Sequence, residues 1–230
     1  TVKIIPDLYE VISGIARTQQ ISGLPLIDVT LNLNTDYLKI YKPVFDFFFS
    51  LFAIIGFIPL WIIISILIKV DSPGPILYKQ KRVGKNNTIF NTIKFRSMVK
   101  EAEKQTGPMW AEKDDPRITK IGRFLRRFRL DEFPQLLNVL KGDMSLVGPR
   151  PERPYFVKIL IKEYPFYMRR LKIRTGLTGW AQIKHPYDEH FDDVREKLRY
   201  DFYYIENVDF WLDLKIMLNT IWVMISGKGR

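Results

Sequence analysis

The residues best suited to chemistry in this 230-residue chain are Asp131 and Glu132, adjacent acids followed by Phe133 and Pro134. Six basic side chains and no acid lie just before them, between Arg117 and Leu130. Proline is accommodated in the first turn of a helix, so Asp131 is expected to cap a helix that runs on through Gln135 to Leu140. Free backbone N–H groups there favour carboxylates and keep them ionised. Two acids beside many arginines suit a divalent metal and a phosphorylated substrate. Taken alone, the pair is better read as a capping acid with a surface neighbour. Further on, Arg150 stands between Pro149 and Pro151, and Arg153 and Pro154 follow. Prolines on both sides restrict the backbone to extended geometry, from which a guanidinium can offer its planar fork to phosphate. A proline-rich stretch with an incidental arginine explains the same residues. Arg174 opens a glycine-punctuated run to Trp180 that could cradle phosphate, although it is no Walker or dinucleotide fingerprint.

These residues need elements to position them. Ile76 to Gln80 and Thr88 to Phe95 read as strands joined by a loop over Arg82 to Asn87, and Ser97 to Lys104 reads as helix. Gly107 to Pro116 is a polar loop. In the arginine run, Ile118, Ile121, Leu125 and Phe128 recur at helical spacing beneath a cationic surface. Such a helix suits an anionic membrane interface, and equally the surface of a soluble core. Phe210 to Ile225 is apolar apart from Asp213 and Lys215, with Trp211 and Trp222 as lipid-boundary anchors.

Phe47 to Ile68 contains 22 consecutive uncharged residues dominated by Phe, Ile and Leu. As a helix it would be about 33 Å long, enough to cross a hydrocarbon core of about 30 Å. Pro59 near its middle should kink or break it around Phe57 and Ile58. Lys39 and Lys42 precede the run, and Lys69, Lys79, Lys81, Arg82 and Lys85 follow it. Positive charge at both ends favours a re-entrant element that enters and leaves through the cytoplasmic leaflet. A full span and a buried soluble helix are the alternatives.

Composition narrows the functional classes. With no cysteine, disulfide scaffolds, thiol nucleophiles and zinc-thiolate sites are excluded. A net charge of +11 in a chain that is 47% hydrophobic points to polyanionic partners. Residues 1 to 35 do not share the positive excess. Val2 to Ile5 reads as a strand, Leu8 to Arg17 as a short helix and Leu24 to Ile27 as an extended end. They look like the last βα unit of an upstream domain or a decoration of the main one.

Together the motifs resemble the bacterial sugar transferases known as monotopic phosphoglycosyl transferases, over roughly Tyr41 to Gly229. The resemblance rests on the apolar segment with its central proline, Lys94 to Met98, Leu130-Asp131-Glu132 with Pro134-Gln135, and Asn138 to Ser145. It extends through Val147 to Pro151, Arg174 to Gln182, and Asp201 with Tyr203-Tyr204. It implies an α/β, mostly helical monotopic membrane protein at the cytoplasmic face of the bacterial inner membrane. Residues 1–35 would be the tail of a nucleotide-binding-like domain in a truncated large-type member, 36–70 a linker and re-entrant helix broken at Pro59, and 71–230 the catalytic domain with interfacial helices.

The implied reaction transfers a sugar 1-phosphate from a UDP-sugar to undecaprenyl phosphate, releasing UMP, in exopolysaccharide, capsule or O-antigen assembly. Asp131 would be the nucleophile on the β-phosphate, and Asp131, Glu132 and Mg²⁺ would manage charge. Lys94, Arg96, Arg150, Arg153, Arg174 and Asp201 would bind substrate. The implied partners are UDP-sugar, undecaprenyl phosphate, an anionic phospholipid membrane and a second copy of the chain, with no nucleic acid. Large members point to glucose or galactose as the sugar. Some members carry Ser before the break proline, whereas this chain has Ile58. A ternary-complex route, a nucleic-acid binder and a non-enzymatic membrane scaffold are the competing functions. The binder leaves the apolar segment unexplained, and the scaffold gives no role to Asp131, Glu132 or Arg150.

Overall fold

The computed structural model describes residues 3–4, 18–21, 24–28, 36–99, 102, 115–164, 166–184 and 191–226. A small antiparallel sheet comes first: β1 (Lys3–Ile4) and β2 (Thr18–Ile21) flank β3 (Leu24–Asp28). The helix expected over Leu8 to Arg17 lies outside the described residues, as do most of the polar loop 107–116 and half of the helix expected over 97–104. The described start of that last segment is extended, with Met98 bridging to Ile118.

A π-helical turn, Tyr37–Tyr41, leads into α1 (Lys42–Asp71). The apolar run therefore forms one 30-residue helix with Pro59 inside it, rather than two separate helices. At about 45 Å it is long and apolar enough to cross a membrane. One stripe of α1 is buried along the domain. Lys42, Asp46 and Ser50 lie at its start and Ile64 and Ile68 at its end, with Phe57 meeting Phe133 at 5.2 Å and Trp61 meeting Phe95 at 5.8 Å. Ile55 to Pro59 are all exposed, and so is the opposite face, from Phe48 and Phe52 to Ile62 and Ile66. An apolar surface this continuous is what a lipid-facing element presents.

β4 (Leu77–Val83) and β5 (Ile89–Phe95) form the expected hairpin in full antiparallel register. α2 (Lys120–Arg127) is capped by Thr119, whose hydroxyl accepts from the Gly122 N–H at 3.0 Å. A 3₁₀ turn, Leu130–Gln135, then feeds α3 (Leu136–Lys141). The helix stops at Gly142, whose φ of 80° is a left-handed value that glycine takes without strain. Parallel strands β6 (Ser145–Val147) and β7 (Gly176–Thr178) follow α3 and frame α4 (Pro154–Glu163) and a second 3₁₀ turn, Tyr167–Lys172. α5 (Trp180–Lys184), α6 (Phe191–Glu206) and α7 (Phe210–Ile225) close the chain. The bounds of α7 match its sequence pattern, and Trp211 and Trp222 remain exposed.

The main core joins α3, β6, α6 and α7 through Val139, Leu146, Ile205 and Ile216, with Ala53 and Ile54 of α1 packed on it. A second cluster gathers around Val157, Leu160 and Leu171, and a third around Ile64, Ile68, Phe95 and Leu125. Asp213 accounts for the charge in the otherwise apolar α7. It is buried and accepts hydrogen bonds from Tyr37 Oη and Tyr204 Oη, each at 2.6 Å, and from Lys42 Nζ. Removing one member of a buried ion pair typically costs about 3–5 kcal/mol, because the other charge is left uncompensated. Lys42→Met should therefore lower thermal stability sharply in detergent, and the double variant with Asp213→Leu should recover much of the loss. Additive losses in that cycle would mean that the pair is not coupled.

Candidate active site

Asp131 and Glu132 sit in the first turn of the 3₁₀ segment, and both are nearly buried. Neither caps the helix: Arg129 holds the N-cap position with a left-handed φ of 53° and makes no side-chain cap. The expected cap gives way because proline at 134 and the tight 3₁₀ geometry draw the acids inside the turn. Glu132 Oε1 accepts from Lys94 Nζ at 2.7 Å and from Arg150 Nη2 at 2.9 Å. Burial opposes the Glu132 charge, but Arg150 and Lys94 outweigh it and hold the carboxyl well below the usual range. Asp131 behaves differently. Burial and the adjacent Glu132 push its carboxyl up, against the pull of Lys94, Arg126 and Arg150. Its carboxylate makes no hydrogen bond or ion pair among the described residues. One acid of the pair is thus tied down by cations, while the other is surrounded by them and left free.

Three pieces of backbone hold this arrangement. Lys94 is carried by β5, which Asn138 of α3 clamps: its Oδ1 accepts from the Ile93 N–H at 3.0 Å and its Nδ2 donates to Asn91 O at 2.8 Å. Arg150 follows β6, which lies against β7 with no clearance. A side chain at Gly176 would meet Gly148 N at 2.1 Å, and one at Gly179 would meet Gly148 O at 2.3 Å. The glycines of 174–180 therefore permit contact between two backbones rather than cradling phosphate. The Gly176 N–H donates to Pro149 O at 2.9 Å. Arg170 Nη2 donates to Arg150 O at 2.9 Å, and the Val83 N–H to Glu152 O at 2.8 Å. Arg82 Nη1 adds a bond to Pro151 O at 3.0 Å.

Of the residues singled out in the sequence, Lys94 and Arg150 converge with Asp131 and Glu132, and the others lie elsewhere. Arg96 is buried and spent on the end of α1, donating to Ser72 O at 2.6 Å, Pro73 O at 2.8 Å and Ile68 O at 3.4 Å. Lys94, two residues earlier and still within β5, is bonded instead to Glu132, whereas Arg96 lies just past the end of the strand. Asp201 is buried and lies 2.8 Å from Arg170 Nη2, so it reaches Arg150 only through Arg170. Arg153 holds the N-cap position of α4. Arg174 lines a cavity beside the first turn of α1.

Arg126, Arg82, Arg170 and Asn138 were not singled out. Arg126 was legible as part of the cationic run, but its place beside Asp131, with Nε on Ser97 Oγ at 2.9 Å, depends on tertiary packing. A divalent ion is commonly held by one or two carboxylates together with substrate phosphates, and Asp131 with the remaining oxygen of Glu132 fits that role. Among the described residues no group of three or more His, Cys, Asp or Glu converges, so a cage built from protein alone is not offered.

Comparison with known proteins agrees with this geometry. Residues 37–227 match the family model described as bacterial sugar transferase. The chain is 47% identical over 184 residues to the UDP-N-acetylgalactosamine-undecaprenyl-phosphate N-acetylgalactosaminephosphotransferase of Aeromonas hydrophila, covering 80% of this chain and 43% of that protein. It is 36% identical over 231 residues to the UDP-glucose:undecaprenyl-phosphate glucose-1-phosphate transferase of Xanthomonas campestris pv. campestris, covering 99% of this chain and 48% of that protein. It is 41% identical over 197 residues to exopolysaccharide production protein PSS of Rhizobium leguminosarum bv. phaseoli, covering 83% of this chain and 98% of that protein. The chain spans less than half the length of the first two relatives. With the acid pair, its cations and the apolar helix all inside the matched region, the chain belongs to the bacterial sugar transferase family.

Proposed function

We propose that this chain transfers a sugar 1-phosphate from a UDP-sugar to undecaprenyl phosphate at the cytoplasmic face of the bacterial inner membrane. The observation that carries the reading is the asymmetry of the acid pair: Glu132 is fixed by Lys94 and Arg150, whereas Asp131 is free of bonds and lies among the same cations. A free carboxylate can attack phosphorus, and cations around it offset the repulsion between that carboxylate and an anionic pyrophosphate. In the first step an Asp131 oxygen bonds to the β-phosphorus, the bond from that phosphorus to the bridging oxygen breaks, and UMP leaves with that oxygen. In the second step an oxygen of the polyprenyl phosphate attacks the same phosphorus and the carboxylate is regenerated. Arg150 serves as the fork for a substrate phosphate, and Glu132 keeps Lys94 and Arg150 in place between turnovers. Mg²⁺, held by Asp131 and Glu132 with the substrate phosphates, would neutralise pyrophosphate charge. Relatives named for both N-acetylgalactosamine and glucose leave the sugar to a panel of UDP-sugars.

The same reading makes α1 re-entrant. Its first turn is fastened to the domain through Lys42 and Asp213, and its last residue, Asp71, accepts from the Ile121 N–H at 3.1 Å. A segment tied at both ends to one body is poorly suited to placing those ends on opposite sides of a bilayer. The exposed middle of the helix, from Ile55 to Pro59, then supplies the part that dips deepest into lipid.

Four outcomes are expected. Intact-protein mass spectrometry after exposure to UDP-sugar and Mg²⁺ without acceptor should show one sugar phosphate on Asp131, discharged by undecaprenyl phosphate. Asp131→Asn should abolish both adduct and turnover while leaving membrane association intact, and a fully active Asn variant would remove Asp131 as nucleophile. UMP release that always requires bound acceptor would favour the ternary-complex route. Arg150→Lys keeps the charge but loses the fork, so turnover should fall by about 10- to 100-fold, in line with loss of a charge-assisted hydrogen bond. Near-parental activity at limiting UDP-sugar would reject that role. Single cysteines near Lys39 and near Lys85 should both label from the cytoplasm, and opposite-side labelling would sink the re-entrant model.

A further inference from the structure

At the other end of α1 from the residues that pack on the acid pair's segment, a cavity of about 250 Å³ opens beside the first turn of the helix. It is lined by Lys39, Lys85, Lys172 and Arg174, which come from three separate segments of the chain. Among the described residues none of these four cations has a carboxylate within ion-pair distance. Lys42 and Asp46 also line the cavity, and Asp46 is the one carboxylate among its lining residues. Lys42 is bonded to Asp213, and the Asp46 carboxylate accepts from Ser145 Oγ at 2.6 Å and from the Leu146 N–H at 3.3 Å. The site therefore carries a surplus of positive charge around a volume able to hold a phosphate group. Lysine and arginine donors are the usual partners of phosphate oxygens.

The rim shows where such a phosphate comes from. Ile40, Tyr41 and Val44, on the same turns as Lys39 and Lys42, are 53–66% exposed and continue into the lipid-facing surface of α1. An anion with apolar chains fits this juxtaposition, with its charge among the cations and its chains along the helix. We propose that the cavity binds a phosphate ester, supplied by the head group of an anionic membrane phospholipid, and that this lipid anchors the first turn of α1. Basic pockets beside membrane helices hold anionic head groups by this chemistry. The proposal does not depend on the transfer reaction, because its residues are separate from Asp131, Glu132, Lys94 and Arg150.

The test is native mass spectrometry of the full chain released from nanodiscs of phosphatidylcholine with phosphatidylglycerol. One phosphatidylglycerol should be retained per chain. The triple variant Lys39→Gln, Lys85→Gln, Lys172→Gln should lose it at least tenfold. A variant with the same charge change at exposed positions on other faces, Lys79→Gln, Lys81→Gln, Lys158→Gln, should keep it. Equal retention by the two variants, or equal loss, would overturn the site, because the lipid would then be following overall charge. Two further arms separate the sources of phosphate. Displacement of the lipid by millimolar inorganic phosphate would make this a free-anion site and reject the phospholipid. Displacement by stoichiometric undecaprenyl phosphate would assign the cavity to the acceptor and likewise reject it. Folding of the variants is read from their thermal unfolding, and a cavity variant that unfolds like the parent yet keeps its lipid also counts against the proposal.

Discussion

Two neighbouring carboxylates in a nearly buried turn are the constraint around which this domain is arranged. Burial penalises each charge and their mutual repulsion adds to the cost, so the pair survives as anions only where cations are brought to it. The chain does this from three directions: Lys94 on the hairpin, Arg126 at the end of α2 and Arg150 after β6. Each cation, or the backbone that carries it, is in turn fixed by hydrogen bonds from other elements. Asn138 clamps β5, Ser97 holds Arg126, and Arg170 with Arg82 grips the backbone around Arg150. The result is directional rather than uniform. Glu132 takes the direct bonds and keeps its charge firmly, while Asp131 feels the same field without being bonded by it.

The elements themselves were largely legible. Alternation and turn residues placed the hairpin, and the apolar pattern placed α7 from Phe210 to Ile225, because both signals are local. The acid pair and Arg150 were legible as motifs. Their support was not, since ion pairs such as Arg170 with Asp201 join residues whose spacing carries no period. Arg96 shows the limit most clearly. It stands two residues after Lys94, where alternation alone predicts the same face, but it lies just past the end of β5, and the carbonyls after α1 take its donors. Glycines at 176 and 179 misled in a similar way. A glycine-rich loop signals close backbone approach, and only the tertiary structure shows that the approaching partner is Gly148 rather than a phosphate.

The membrane element and the catalytic fold share their packing. α1 buries one stripe on two of the three hydrophobic clusters, packing Ile54 on the first, contributing Ile64 to the third, and setting Phe57 against the ring of Phe133, next to Glu132. Anything that shifts α1 along its axis will be felt at the residue that follows the acid pair. That coupling is physical contact through one ring pair and needs no longer pathway.

Asp213 carries a consequence for how the protein is made. Its partners Lys42 and Tyr37 lie 171 and 176 residues earlier in the chain. A ribosome therefore delivers the whole apolar helix, the hairpin and the acid pair before the anion that neutralises Lys42 exists. During that interval the ammonium at the start of α1 has the Asp46 carboxylate one turn on to offset its charge, but no Asp213 to bond. Arrival of α7 supplies that bond, and a helix made long after α1 fixes the first turn of α1 to the domain.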